Sequence, residues 1–489
     1  MSELPKGCIG STIADVAQYV QRGKSPKYVG YSDLPVINQK CIRWSGIDEA
    51  HLKFVDSSQW SAWGEERFLK SGDILWNSTG TGTIGRAAVF KPLKTSPNAV
   101  ADSHVTIVRP NGAVVPEFLY RLIESPLVQS RLNDMQSGST NQVELSKGEV
   151  LTTLVPLAPL PEQRRIVSKI DSLTSKSRRA RDHLDHIPRL VEKYKQAILS
   201  AAFRGELTRE FNEAERPSKA EVEICKNALC ERLNIRLWKS ADDISKVHEG
   251  APERWLGCYI GDVTAHRSGV AFKSGDFTQT GTQVVRLGNL YNGIFDLSRS
   301  PVFLKNADQY RAFGGEAGDV LVAQTGTRFK RDYGHFIVLK EDHRGILINQ
   351  RIACLSPTEM LNPDFLKFFS HLATFKDHFF GHETGGVNQG NVGLAGIMDA
   401  PMALPSRTEQ DAIVSRLDAA FSWIDRLAAD ASSARKLINH LDQSVLAKAF
   451  KGELVPQDPA DEPASALLER IKAESAAAPK PKRGRKKPA

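Results

Sequence analysis

No run in this 489-residue sequence approaches the roughly 18 uninterrupted apolar residues that a bilayer span requires. Its first residues, Met1-Ser2-Glu3-Leu4-Pro5-Lys6, lack the apolar core of a secretory signal. The expectation is a cytoplasmic protein with no membrane partner. Cysteine is scarce: the six thiols (Cys8, Cys41, Cys225, Cys230, Cys258 and Cys354) are scattered and form no C-x-x-C pair. That argues against a zinc site and favours free thiols in a reducing compartment. A G-x-x-x-x-G-K-[ST] phosphate loop and a nuclease-like carboxylate cluster are also missing. We therefore expect no catalytic residue, no metal and no cofactor held by this chain.

What is present suits soluble globular domains, with 41% hydrophobic and 25% charged residues, and the length suggests two to four of them. The net charge of +8 is concentrated at one end, where Lys480, Lys482, Arg483, Arg485, Lys486 and Lys487 supply six of the excess positive charges. A basic run after an Ala/Pro stretch reads as a disordered arm drawn to a polyanion, or as a solvated tail with no specific role. On DNA such an arm would add salt-dependent affinity without sequence preference.

Internal repetition organises the chain. Ile166-Val167-Ser168 recurs 247 residues later as Ile413-Val414-Ser415, and the same offset carries Glu162-Gln163 onto Glu409-Gln410 and Phe203-Arg204-Gly205-Glu206-Leu207 onto Phe450-Lys451-Gly452-Glu453-Leu454. It also carries Ile13-Ala14-Asp15-Val16 onto Ile260-Gly261-Asp262-Val263, while Gly72-Asp73-Ile74-Leu75 meets Gly318-Asp319-Val320-Leu321 at 246. Two copies of one unit, about 1–247 and 248–480, match best over 161–207 and 408–454 and diverge before those stretches. A shared scaffold with two diverged surfaces is what reading two different targets requires.

The well-matched stretches have the spacing of long helices. Ile166, Ile170, Leu173, Leu184, Val191 and Ile198 lie on one seam of alternating four and three, repeated by Ile413, Leu417, Ile424, Leu427, Ile438 and Val445. The expectation is two helices of about 42 residues, roughly 60 Å each, paired as an antiparallel coiled coil. Pro188 predicts a break in the first, and Gly205 and Gly452 predict the helix ends. Such a pair would act as a ruler, or as a bundle helix with no spacing role.

The diverged parts, about 12–155 and 259–402, show short β-type runs: 73–76, 87–90 and 104–108 in the first, 283–287 and 334–339 in the second. Helices are expected at Pro116–Asn133 and Pro363–Phe380. Gly80-Thr81-Gly82-Thr83-Ile84-Gly85 fits a dinucleotide fingerprint, but no helical pattern follows and the second copy lacks it, so a turn is expected. Asn362-Pro363-Asp364-Phe365 has the shape of an amino-methyltransferase motif, but its counterpart Val115-Pro116-Glu117-Phe118 points to a helix start. Loop-borne polar groups remain: Asn38, Lys40, Arg43, Thr79, Thr81, Arg86, Asn141 and Gln142 in the first copy. The second offers Arg286, Asn289, Gln324, Thr325, Arg328, Lys330, Arg331, Asn388 and Gln389. Arg and Lys can bond guanine edges and Asn and Gln adenine edges, so as a set these are the candidate DNA-binding residues; singly, each reads first as a solvated or hydrogen-bonded loop residue.

Leu160-Pro161-Glu162-Gln163-Arg164-Arg165-Ile166-Val167 and Ala197 to Leu207 resemble the central conserved region of type I restriction-modification specificity subunits. Ala447 to Leu454, followed by Asp458 to Ala464 and Leu467 to Ile471, is similar to that family's C-terminal conserved region. Arg286-Leu287-Gly288-Asn289-Leu290 and Gly318 to Leu321 resemble framework motifs of its target recognition domains. Leu404-Pro405-Ser406-Arg407-Thr408-Glu409-Gln410 carries three extra residues relative to Leu160-Pro161-Glu162-Gln163, which leaves the start of the second helix open, and the basic tail lies outside the pattern.

The resemblance implies an α+β fold with an internal pseudo-two-fold repeat, in which two mainly-β target recognition domains alternate with the two long helices. The segments are then 1–158 (first recognition domain), 159–207 (central helix), 208–250 (linker), 251–405 (second recognition domain), 406–474 (C-terminal long and short helices) and 475–489 (basic tail). It implies a non-catalytic subunit that reads a bipartite site on double-stranded DNA across a helical spacer. Two methyltransferase (M) subunits, holding S-adenosylmethionine themselves, would dock on it, and motor-nuclease (R) subunits can join. Half-sites on one DNA face would lie about 34 Å apart, within reach of such helices. Two other readings stay open: a fused enzyme, which would transfer methyl groups without a partner, and a scaffold, which would bind DNA with no base preference.

Overall fold

The computed structural model describes residues 7–80, 82–137, 143–211, 216–240, 250–328 and 330–477. The chain divides into two compact units, Met1–Asp185 with Ala431–Ala489, and His186–Asp430. The division crosses both long helices. Each unit therefore holds one diverged domain, the first part of one long helix and the last part of the other.

In the first unit an antiparallel sheet runs in the order Ala17–Arg22, Val105–Pro110, Ile74–Asn77, Ala87–Val89. Every residue of Ile74–Asn77 is buried, as is Val105 to Arg109, so these central strands read as apolar runs. A second, mixed sheet joins Val100–Ala101 in parallel to Pro35–Ile37, then Lys53–Val55 and Tyr28–Val29. The second unit repeats the first order with Thr264–Ser268, Ile352–Pro357, Val320–Ala323 and Phe336–Val338. Its mixed sheet is Phe303–Leu304, Thr282–Val285 and Leu347–Ile348. The strands expected from the sequence fall within two residues of these bounds.

The expected domain helices are each two pieces. Pro116–Glu124 stops at extended Ser125, because Pro126 offers no N–H and disfavours a helical residue before it; Pro126–Gln129 then begins afresh. Pro363–Phe369 likewise ends before extended Leu372, which caps Ala373–Gly381. The side chain of Asn362 accepts from the N–H groups of Asp364 and Phe365, so Asn362-Pro363-Asp364-Phe365 is a capped helix start.

The first long helix is interrupted as Pro188 predicts: Leu160–Asp185 and Ile187–Phe203 meet at His186. The second, Arg407–Phe450, runs 44 residues without a break. Both end at glycines in the left-handed region, Gly205 at φ 68° and Gly452 at φ 75°. The starts, 160 and 407, are 247 apart, and the preceding strands end at Leu157 and Leu404. There is thus no three-residue insertion: Leu404 is the counterpart of Leu157, not of Leu160.

The duplicated Glu-Gln pair has a structural role. The Gln163 amide accepts from the Val115 N–H (2.8 Å) and donates to the Ala113 (3.0 Å) and Ala158 (2.8 Å) carbonyls. Gln410 does the same with Asn362 (2.8 Å), Met360 (2.8 Å) and Pro405 (2.9 Å). Each domain is thus stitched to the start of its own helix. The end of the other helix seals it, through Phe450 on Phe118 (ring centroids 5.2 Å apart) and Phe203 on Phe365 (4.9 Å).

Along the helices, Ile166, Ile170, Ile413, Leu417 and Ile424 are buried, and Leu173, Leu184, Val191, Ile198, Ile438 and Val445 are half-buried. Leu427 is 45% exposed, against the seam expected for it. Near both helix ends the buried face moves one residue on, to Leu199, Ala202 and Phe203 and to Leu446, Ala449 and Phe450. A straight 3.6-residue helix drifts in this direction against a 3.5-residue seam. Ion pairs join the helices in antiparallel order: Arg181 with Asp442 and Arg435 with Asp185 in the first unit, Lys195 with Asp425 (2.6 Å) in the second.

The segment expected to be a linker, 208–250, contains the capped helix Lys219–Leu233, which buries Val222, Leu229 and Cys230. The expectation missed it because its weak apolar periodicity gives no clear stripe. Its Lys226 reaches Asp262 (3.5 Å), and in the other unit Lys472 of helix Ala464–Ala477 reaches Asp15 (3.1 Å). That helix runs past the expected boundary at 474. The rest of the basic tail lies outside the described residues.

Candidate nucleic-acid interface

The polar residues singled out from the sequence, where described, gather where loops leave the two sheets of each domain. In the first domain these loops are 38–40, 79–86 and 102–104, and hydrogen bonds tie them together. The Asn77 amide donates to the carbonyls of Gln39 (3.1 Å) and Thr83 (3.2 Å), and Thr83 Oγ1 donates to Gln39 Oε1 (3.3 Å). Thr79 Oγ1 lies 2.6 Å from His104 Nδ1. Gly80, Gly82 and Gly85 lie between the paired strands Ile74–Asn77 and Ala87–Val89, and a strand, not a helix, follows them, so the motif is no dinucleotide fingerprint. Gly80, Gly82 and Gly85 all have positive φ; a Cβ on Gly85 would come within 2.2 Å of Leu132 Cδ1.

Lys40 is exposed; Arg43 is half-buried 3.8 Å from Asp48; Arg86 is half-buried and donates to the Gly82 carbonyl (2.8 Å). Asn38 departs from expectation. It is 5% exposed, its amide donates to the His51 carbonyl (2.7 Å) and its oxygen accepts from the Lys40 N–H (2.8 Å), so it shapes the loop. Thr81, Asn141 and Gln142 lie outside the described residues. Behind the loops, burial and the adjacent Asp102 carboxylate push the Tyr28 phenol up to about 12.

In the second domain, loops 286–300, 324–331, 349–351 and 383–392 converge. Asn289 repeats the departure of Asn38: at 3% exposure it donates to the carbonyls of Asp296 (2.8 Å) and Arg299 (3.0 Å) and accepts from the Arg286 N–H (2.9 Å). Thr325 is buried against Asn391 (3.0 Å), and half-buried Gln324 donates to the Val392 carbonyl (3.3 Å). Arg328 pairs with Glu383 (3.5 Å), which also accepts from Tyr333 Oη (2.5 Å); burial, then this bond, pushes the Tyr333 phenol up. Lys330, Arg331, Asn388 and Gln389 are exposed, Arg331 over the Phe380 ring at 4.8 Å.

Arg286 lines a cleft of about 400 Å³ together with Arg299, Asn349, Gln350 and Arg351. The last four escaped the sequence reading. They stand on loops between strands with no motif of their own, and only the offset to His104 could have flagged Arg351. Among the described residues, no group of three His, Cys, Asp or Glu side chains is placed to hold a metal, and no helix is long and apolar enough to cross a membrane. The arrangement offers guanidinium, amide and hydroxyl groups on rigid loops, suited to binding a polyanion with base-edge donors and acceptors.

Comparison with known proteins agrees. The family model described as type I restriction modification DNA specificity domain matches twice, over 11–182 and 252–429. The EcoKI specificity subunit of Escherichia coli K12 is 22% identical over 99% of both chains, and the EcoBI specificity subunit of Escherichia coli is 28% identical over 72% of this chain and 70% of its own. A crystal structure of the HsdS subunit from Thermoanaerobacter tengcongensis superposes with a TM-score of 0.55 at 20% identity, covering 92% of this chain and 98% of that one. This chain belongs to the specificity subunits of type I restriction-modification systems, the DNA-recognition rather than the catalytic component of those systems.

Proposed function

We propose that this subunit reads a bipartite site on double-stranded DNA, one half through the loops of each domain, with the paired long helices setting the unread gap. The observation that carries this reading is a pair of polar loop edges built on one backbone frame but bearing different side chains. One frame with one chemistry would read one sequence; one frame with two chemistries suits two. The two-fold repetition gives similar surfaces to two methyltransferase subunits, which hold S-adenosylmethionine and transfer the methyl group, and motor-nuclease subunits join the same assembly. Residues on the loops named above contact bases and phosphates; the helix seam supports the spacing.

The test is domain exchange. Replacing residues 12–155 by the equivalent part of another specificity subunit, in complex with the methyltransferase, changes one half of the methylated motif and leaves the other half and the gap as they were. A change in both halves overturns modular reading.

A further inference from the structure

The two domains hold one particular loop in the same way. In the first, the Asp102 N–H donates to the Ile37 carbonyl (3.1 Å), the His104 N–H to Asp102 Oδ1 (2.8 Å) and the Ser78 N–H to the His104 carbonyl (2.9 Å). In the second, the Asn349 N–H donates to Val285 (3.2 Å), the Arg351 N–H to Asn349 Oδ1 (3.3 Å) and the Gln324 N–H to the Arg351 carbonyl (3.1 Å). Both loops are thus turns closed by a side-chain oxygen and pinned between strands, and they present His104 and Arg351 from matching backbone positions.

The surroundings differ. Arg351 and Arg299 are exposed, and among the described residues neither guanidinium has a hydrogen bond or ion pair; Arg299 stacks over the Tyr291 ring at 5.2 Å. Arg286, beside them, donates to the Ser300 carbonyl (2.6 Å). No carboxylate lines this cleft. In the first domain the matching positions carry Asn38, Asp102 and His104, and His104 is bonded to Thr79.

Resting on the bipartite reading above, we infer that Arg351, with Arg299 beside it, is a specificity-determining residue, and that the half-site read by the second domain contains guanine. A guanidinium bonds guanine O6 and N7 together. It also binds phosphate, but phosphates are chemically the same in both half-sites. A phosphate contact gives no reason for the pinned position to change from His to Arg between the copies; a base contact does.

The test uses the subunit with its methyltransferase on duplexes carrying its mapped motif. Each guanine of the second half-site is replaced in turn by 7-deazaguanine, which removes the N7 acceptor. For the wild type, one replacement weakens binding about tenfold or more. Arg351→Ala weakens the unmodified duplex by a similar factor and no longer responds to that replacement, while methylation still requires the first half-site; Arg299→Ala is the second probe. Unchanged melting temperature and assembly with the methyltransferase establish that the variants are folded. The inference is overturned by a split motif whose second half lacks guanine. It is also overturned if both variants weaken cognate and random duplexes equally with a shallower salt dependence, the mark of a phosphate contact. Absence of any split motif removes the bipartite reading, and this inference with it.

Discussion

Each of the two diverged domains buries the aspartate of its Gly-Asp motif, yet the two neutralise it from different strands. Asp73 is held by Arg109 through two bonds of 2.8 Å, and the same guanidinium donates to the Phe68 carbonyl (2.8 Å). The counterpart of Arg109 is Ser356, which still bonds Asp319 (2.6 Å), while the cation there is Arg267, on the neighbouring strand opposite Cys354, where the first copy has Gln21 opposite Ile107. Arg267 also reaches a carbonyl, that of Gly314 (2.7 Å), 246 residues on from Phe68. In both domains a guanidinium bridges the buried carboxylate and neighbouring backbone carbonyls, supplied from a different strand in each. The loops have no such compensation: their side chains changed while their backbone bonds did not. One part of the domain is held to a chemical requirement, and the other is free to differ.

That contrast can be broken at the aspartates. Asp73→Ala or Asp319→Ala leaves a buried guanidinium unpaired and lowers the stability of its own domain by about 3–5 kcal/mol, read from denaturant unfolding. Transplanting the second solution into the first, with Arg109→Ser and Gln21→Arg together, recovers part of the loss caused by Arg109→Ser alone. If it recovers nothing, the two arrangements are not interchangeable.

The buried glutamates of the duplicated Glu-Gln pair differ more subtly. Glu409 accepts from Thr208 (2.7 Å) and Arg254 (2.7 Å), whereas Glu162 Oε1 has no hydrogen-bond partner among the described residues; Val455 and Gly7 occupy the matching positions. Glu409→Ala strands Arg254 and costs about 2–3 kcal/mol, while Glu162→Gln is close to neutral. Burial raises the Glu162 pKa above its ordinary value, with Arg165 opposing. An acid with a raised folded-state pKa is destabilising while ionised, and that cost disappears as pH falls through the raised value. Wild type therefore gains stability relative to Glu162→Gln on acidification through that range. Parallel pH profiles of unfolding free energy for the two proteins would contradict this.

The smallest effect concerns the two short helices. Lys226, nearly buried, donates to the Trp238 carbonyl (2.8 Å) as well as facing Asp262, whereas the Lys472 side chain is 57% exposed at its ion pair. Lys226→Ala is expected to cost roughly 1–2 kcal/mol and Lys472→Ala under about 0.5, compared by thermal melting. Equal losses would mean that burial does not separate them.

Periodicity and repetition made much of this fold legible. The long helices and the central strands followed from residue spacing, because long periodic segments leave few alternatives, and the break at Pro188 and the ends at Gly205 and Gly452 from the backbone limits of proline and glycine. Helix Lys219–Leu233 did not, since it buries one edge of a weakly amphipathic segment against a domain that sequence spacing cannot place. In the site, residue type indicated polar loops but could not tell Asn38 and Asn289, which brace their own loops, from exposed Lys40. Nor could it find Arg351, whose place depends on hydrogen bonds to strands distant in sequence.

The most direct test of two reading domains on one spacer is base-resolution mapping of methylation on plasmid DNA from cells expressing this chain with its methyltransferase partner. Two short specified blocks around a fixed unread gap are predicted. A short unsplit motif, or methylation that does not depend on this chain, would contradict the account.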